Sequence, residues 1–325
     1  MKILHISFHL GCHNDLTYIS KKLNHRLSFM AFDDGTKGKY NIGHDRAEKY
    51  WNKHKEYFNT FDLIITSDTA PISRVFLQNN WTKRLIIWIN NRFDYCDVAT
   101  NDCNFPDKEY YELFMKATTM KNVTIIGYTP FENYYCKNIL NIDVGDSIIK
   151  PIGKISNVYS SISMTKIKDK NETFFVGPYH NDNIMMKLAD HLKDMNIKVY
   201  NGRFNGPSDL AEFKGVIHIP YAWSNYSFFE ALHLGILYFI PSKEFLIKLK
   251  HGKDFFWSPP YKENILELSE WYNPEYKDLL IYFNSWNDLK IKLYTINYKI
   301  CKNKLKEYGK THEINMLKLW EKYIN

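Results

Sequence analysis

Gly215-Val216-Ile217-His218-Ile219-Pro220-Tyr221-Ala222-Trp223-Ser224-Asn225-Tyr226-Ser227-Phe228-Phe229-Glu230-Ala231-Leu232-His233-Leu234-Gly235-Ile236-Leu237-Tyr238-Phe239-Ile240-Pro241-Ser242 is the stretch that decides the fold. The apolar run up to Pro220 reads as a buried strand. A polar turn follows with Ser224, Asn225 and Ser227, then a helix carrying Glu230, and Gly235 ends it before a second strand that closes at Pro241. Strand, turn, helix and strand in that order make a β-α-β unit of a parallel sheet. The turn presents free backbone N–H groups and hydroxyls at a helix N-terminus, which suits a diphosphate. Glu230 lies about one turn further in, on the side of Ser227 or Tyr226, where it can accept hydrogen bonds from a ribose diol. The same residues also read as a plain cap, with Ser227 and Glu230 forming S-x-x-E, and spacing alone favours that reading.

Working outward, the unit belongs to a series. Strands are expected at Thr173–Gly177, Ile197–Gly202, Gly215–Tyr221 and Ile236–Ser242, with helices at Asn183–Asn196, Tyr226–Leu234 and Lys243–Lys250, and a helical tail from Tyr276 onward. An earlier series runs through Lys2–His9, Arg26–Phe32, Asp62–Ser67, Arg84–Asn90 and Asn122–Tyr128, with helical patterns at Leu16–Leu23, Asp45–Phe61, Pro71–Trp81 and Asp107–Met120. Gly153–Asn171, rich in Ser, Lys and Asn, interrupts the alternation. The expected class is therefore α/β, with two Rossmann-like domains at 1–153 and 172–325, a linker at 154–171, and helices closing the chain. The carboxyl ends of the two sheets are expected to face across a cleft, where function belongs.

The 325 residues, 45% hydrophobic and 16% aromatic, are enough to build two cores and exclude a disordered chain. Lys and Arg number 43 against 36 Asp and Glu, a net charge of +7. The basic residues are dispersed, so a nucleic-acid partner is not expected, while an acidic small ligand fits. Cys12, Cys96, Cys103, Cys136 and Cys301 form no C-x-x-C pair, which suggests neither a disulfide framework nor a zinc site and points to a reducing, cytoplasmic setting. The opening Met1–Phe8 is too short an apolar run for a leader and reads as a buried strand. The chain has no G-x-x-x-x-G-K-[ST], and the turn His9–Asp15 lacks G-x-G-x-x-G, which disfavours P-loop and ordinary dinucleotide chemistry. It also has no G-x-S-x-G and no H-E-x-x-H. No Asp-X-Asp occurs, so no metal cofactor is expected.

Pro220–Ser242 resembles the donor-binding signature of glycosyltransferases of the GT-B fold. Phe174-Phe175-Val176-Gly177 resembles the opening strand of their donor domain, and Ser285-Trp286-Asn287-Asp288-Leu289 resembles the stretch leading to the helix that returns to the first domain. The resemblance implies a metal-independent transfer of a sugar from a UDP- or GDP-sugar to a hydroxyl on a glycan, lipid or protein-linked acceptor. The implied donor residues are Gly177, Tyr179, His180 and Arg203, then Tyr221, Ser224, Asn225, Tyr226 and Ser227 on the turn, and Glu230. The chain departs from the pattern in two places. Ala222 breaks the E-x7-E pattern of retaining members, and Gly177-Pro178-Tyr179-His180 stands where many members carry Arg and Lys. A sugar-nucleotide epimerase of the same shape and a non-catalytic sugar- or nucleotide-binding module are the competing readings.

On the acceptor side an inverting transferase needs a base near the hydroxyl, and His13, Asp15 and Asp94 are the candidates. Asp15 equally reads as an N-cap. Gly11, Asp68, Asn91, Arg92 and Tyr95 lie at expected strand ends and are assigned to the acceptor. Phe93, Tyr95 and Trp223 are candidate sugar-stacking platforms. Peripheral membrane contact is left open, with Asp45–Phe61 the basic candidate helix.

Overall fold

The computed structural model describes residues 1–33, 42–90, 93, 107–154, 169–177, 187–250 and 263–325. The chain divides into two compact units, one formed by Met1–Pro151 with Ile314–Asn325 and the other by Ile152–Glu313. Most of the expected linker lies outside the described residues.

In the first unit, β1 (Lys2–Ser7), α1 (Leu10–Lys22), β2 (Arg26–Ala31), α2 (His44–Phe58), β3 (Leu63–Asp68), α3 (Arg74–Leu77), β4 (Arg84–Ile89), α4 (Lys108–Ala117), β5 (Val123–Gly127) and α5 (Pro130–Asn138) follow one another. The sheet order is β2-β1-β3-β4-β5, all parallel. Ile3, Leu4 and Ile6 on β1, Leu63, Ile64 and Ile65 on β3 and Leu85 to Ile89 on β4 are buried, as a sheet covered on both faces demands. α1 buries Cys12, Leu16 and Ile19 at helical spacing, and Phe58, Phe76 and Trp81 form an aromatic cluster beneath α2 and α3. The expected Pro71–Trp81 helix is a 3-10 turn, Ala70–Ser73, followed by the four-residue α3. Sequence reading missed α5. It opens on a complete capping box, with Thr129 and Glu132 each satisfying the other's backbone, and has Pro130 at its first position. Such a start contributes about 1 kcal/mol.

The second unit contains β6 (Phe174–Val176), α6 (Leu188–Asp194), β7 (Val199–Asn201), α7 (Gly206–Leu210), β8 (Gly215–Ile217), α8 (Tyr226–Leu234), β9 (Tyr238–Pro241), α9 (Lys243–Lys250), β10 (Ile281–Phe283), α10 (Trp286–Thr295) and α11 (Tyr298–Ile324). Its order, β10-β9-β8-β6-β7, repeats the first sheet's plan, with the second strand outside the first and the rest stacked on the other side. The expected all-helical tail from Tyr276 is corrected here. Ile281–Phe283 pairs in parallel with Phe239–Pro241 and completes the sheet, and only then does Ser285 cap α10 through the Asp288 N–H.

α11 crosses the boundary between the units. Its last eleven residues, together with Asn325, cluster with the first unit as Ile314–Asn325. There Arg84 donates to the carbonyls of Ile324 at 2.6 Å and Tyr323 at 2.8 Å, and Trp320 packs edge-on against Trp88 with ring centres 5.1 Å apart.

Candidate functional site

An open parallel sheet has its natural ligand crevice where neighbouring strands connect in opposite directions, outside their carboxyl ends. In the second unit that point lies between β6 and β8. Gly177 follows β6, and its carbonyl accepts from the Asn201 side chain at 3.1 Å. After β8 the loop to α8 is pinned from below. Trp271 Nε1 donates to the Ala222 carbonyl at 3.0 Å, and the Glu270 N–H donates to that of Trp223, also at 3.0 Å.

Asn225 stands at the N-cap of α8 with extended backbone (φ −142°, ψ 128°), yet no side chain caps the helix. A directed hydrogen-bond chain occupies its amide. Tyr238 Oη donates to Ser227 Oγ at 3.0 Å, Ser227 Oγ donates to Asn225 Oδ1 at 3.1 Å, and Asn225 Nδ2 donates to Tyr221 Oη at 2.7 Å. Burial, with the Glu230 carboxylate adding to it, pushes the Tyr238 phenol up, so it remains a donor. The Ser224 hydroxyl is enclosed and has no hydrogen-bond partner among the described residues. The Phe228 N–H turns back to the Asn225 carbonyl at 3.0 Å, and the helix start, which no side chain caps, is preceded by an unspent hydroxyl, an arrangement that attracts an anion.

In the first unit the corresponding point lies between β1 and β3. His5 Nε2 is 2.7 Å from Ser67 Oγ, which donates to Ser7 Oγ at 3.0 Å, and the His9 N–H donates to Ser7 Oγ at 3.0 Å. Because the Ser67 proton goes to Ser7, His5 must donate from Nε2. Burial, reinforced by His13, lowers the His5 pKa to about 3. Asp68 ends β3 with φ +78°, a conformation that costs a non-glycine residue free energy and concentrates at functional sites. Its N–H is held by Asn90 Oδ1 at 2.9 Å. Burial, the Asp68 charge and then the Asp15 charge keep the Cys12 thiol protonated. His13 stacks on Phe29 with ring centres 3.9 Å apart, and desolvation lowers its pKa, leaving a neutral imidazole at neutral pH.

A group held neutral by burial ties stability to pH. The His5 imidazole titrates near 6.5 when unfolded and about 3 when folded, so its contribution is complete above pH 6.5 and declines as pH falls toward 3. Between pH 6.5 and 5 the first unit should lose about 2 kcal/mol through this group. Urea unfolding at the two pH values checks this. His5→Gln, which keeps a donor to Ser67, should remove most of the difference, and an unchanged difference would assign it to other groups.

No protein-family model matches the chain, and no curated protein matches it. Among solved structures, the glycosyltransferase SnogD from Streptomyces nogalater aligns over 99% of this chain and 99% of its own, at 9% identity and a TM-score of 0.53. The glycotransferase of kitacinnamycin aligns over 100% and 99%, at 8% identity and a TM-score of 0.52. In fold, this chain resembles the GT-B glycosyltransferases. A UDP-GlcNAc 2-epimerase from Methanocaldococcus jannaschii also aligns, over 91% and 92%, at 12% identity and a TM-score of 0.42.

Set in the GT-B frame, the expected residues separate into groups. Gly177, Tyr221, Ser224, Asn225, Tyr226, Ser227 and Glu230 lie on the β6 and β8–α8 segments, and Arg203 is exposed just past β7. The capping-box reading of Ser227 and Glu230 is overturned. Asn225 is the N-cap, so Ser227 and Glu230 are the second and fifth helical residues, and the Ser227 hydroxyl is spent on Asn225. Trp223 is buried and cannot serve as a stacking platform. Nor can Phe93, which is fully enclosed against Tyr110 and Phe114.

The expected loop His9–Asp15 is also corrected. α1 begins at Leu10, so Gly11, His13 and Asp15 are helical, and Asp15 is no cap. Asp15 is fully buried and Asp68 is 4% exposed, which closes both to an acceptor in this conformation. His13, partly exposed, is the base candidate that remains on the described surface. His9 and Cys12 belong to the same cluster, and sequence reading did not single them out. Tyr179, His180, Asn91, Arg92, Asp94 and Tyr95 lie outside the described residues. Among the described residues, no cluster of His, Cys, Asp and Glu is arranged to hold a metal ion, and no helix is long and apolar enough to cross a membrane.

Proposed function

We propose that this protein transfers a sugar from a nucleotide-diphosphate sugar, UDP- or GDP-linked, to a hydroxyl acceptor, and that the second unit binds the donor. The observation that carries the reading is the uncapped start of α8, with the enclosed, unspent Ser224 hydroxyl, at the crevice between β6 and β8. The α8 N–H groups and Ser224 would receive the diphosphate, and their charge stabilisation would grow as the sugar–phosphate bond breaks. Glu230 would accept from the ribose diol, and Arg203 would add positive charge at the rim. The acceptor oxygen would attack the anomeric carbon, its proton would pass to a base such as neutral His13, and the nucleoside diphosphate would leave.

Titration calorimetry with UDP, GDP and their sugars tests the donor site directly. Glu230→Ala is expected to weaken nucleotide binding by about tenfold, the loss of a hydrogen bond to a charged group. Absence of binding by the unaltered protein to every nucleotide tried would sink the reading. Product analysis without acceptor separates it from an epimerase, which would isomerise or hydrolyse the donor alone. A chelator should leave turnover unchanged.

A further inference from the structure

We propose that Ser227, backed by Tyr238, is a positioning residue that holds the Asn225 amide off the start of α8 and so keeps that nine-residue helix open to an anion. The proposal rests on the nucleotide reading above and assigns Ser227 a different task from direct contact with the ligand. Asparagine with extended backbone at an N-cap is among the strongest capping arrangements known, and its Oδ1 ordinarily accepts from the second or third helical N–H. At Asn225 the backbone is in place and the cap bond is missing. The reason is explicit in the hydrogen bonds. Oδ1 already accepts from Ser227 Oγ, Nδ2 is drawn to Tyr221 Oη, and Ser227 Oγ is itself fixed by the buried phenol of Tyr238 on the neighbouring strand. The chain runs one way, Tyr238 to Ser227 to Asn225 to Tyr221, and each of these three donors is committed to the next residue.

A second feature points to a ligand at the same place. The Ser224 hydroxyl, immediately before Asn225, is enclosed and has no partner among the described residues. A buried hydroxyl without a partner costs free energy unless something fills the role, and a self-capped helix would leave it no better satisfied. An anion seated on the α8 N–H groups would meet it. Trp271, which holds the Ala222 carbonyl, fixes the approach of the same loop from beneath.

The clamp predicts a rescue that direct contact does not. Removing Ser227 alone would strand the Tyr238 phenol, so the paired variant Ser227→Ala with Tyr238→Phe takes away both partners and leaves the packing nearly unchanged. Asn225 is then released to cap α8, and UDP affinity, measured by calorimetry, is expected to fall about tenfold. Adding Asn225→Ala removes the competing cap and should return the affinity to within about twofold of the unaltered protein. A crystal structure of the paired variant should place Asn225 Oδ1 within bonding distance of a first-turn N–H. Unchanged affinity in the paired variant, loss without rescue in the triple variant, or an unmoved Asn225 would each overturn the clamp while leaving the nucleotide reading intact. If the unaltered protein binds neither UDP nor GDP, that reading falls and takes the clamp with it.

Discussion

Replacing Gly153 by alanine should destabilise the second unit by about 3 kcal/mol or more and weaken the proposed nucleotide binding at the same time. Gly153 has φ +76°, which a side chain strains, and an added Cβ would stand 2.3 to 2.5 Å from backbone atoms of Phe229 and Glu230. Backbone cannot yield as a flexible side chain does, so either α8 or the Ile152–Lys154 segment must move. His233 holds the same segment through the Ile152 carbonyl at 2.8 Å, and Lys154 is paired with Glu313. Because Glu230 and the open helix start ride on α8, its displacement reaches the candidate site. Denaturant unfolding followed by tryptophan fluorescence, with UDP calorimetry on the same sample, checks both effects. Native stability with native affinity would show that the segment slides freely past the helix.

Arg74→Met should destabilise the first unit by about 3 kcal/mol, with little effect on the nucleotide binding proposed for the second. The Arg74 side chain is 1% exposed. It pairs with Asp107 and Glu109 and donates to Gln78 at 3.0 Å, tying α3 to α4. Gln78 in turn reaches Glu48 and the His44 carbonyl on α2. Removing the guanidinium leaves Asp107, only 18% exposed, as an uncompensated carboxylate. Glu109, 54% exposed, rehydrates cheaply, so the cost falls mainly on Asp107. Asp107 retains its bond from the Tyr110 N–H as the cap of α4, which limits the loss to the lower part of the range for a broken buried pair. Comparison of urea midpoints with Arg74→Lys, which keeps the charge but not the fork, separates charge from geometry.

The parts of this fold legible in the sequence are those set by local pattern. Continuous apolar runs such as Leu63–Ile65 and Leu85–Ile89 announce buried parallel strands, and the turn before α8 announces itself by composition. The remainder depends on tertiary partners. Ile281–Phe283 is only three residues long, and its flanks carry helical spacing, so nothing but pairing with β9 makes it a strand. Asp15 looks like a cap because aspartate usually is one, but α1 starts earlier and draws it into the interior. Ser227 and Glu230 have the spacing of a capping box, yet the helix begins two residues too early for it, and Tyr238, eleven residues away in the sequence, captures the serine. The strained backbone of Asp68 leaves no mark in the amino-acid string at all.

The return of Ile314–Asn325 to the first unit bears on the order in which the chain can be made and folded. Arg84 finds the carbonyls of Tyr323 and Ile324, and Trp88 meets Trp320, across more than 230 intervening residues. A growing polypeptide therefore presents β4 with part of its covering missing until the whole second unit has been synthesised. During that interval the indole of Trp88 and the guanidinium of Arg84 lack their final neighbours. Folding of the second unit alone does not end the wait, which lasts until Trp320–Ile324 are made, and chains halted near Glu313 would leave this part of the first sheet uncovered, a natural place for chaperones to engage.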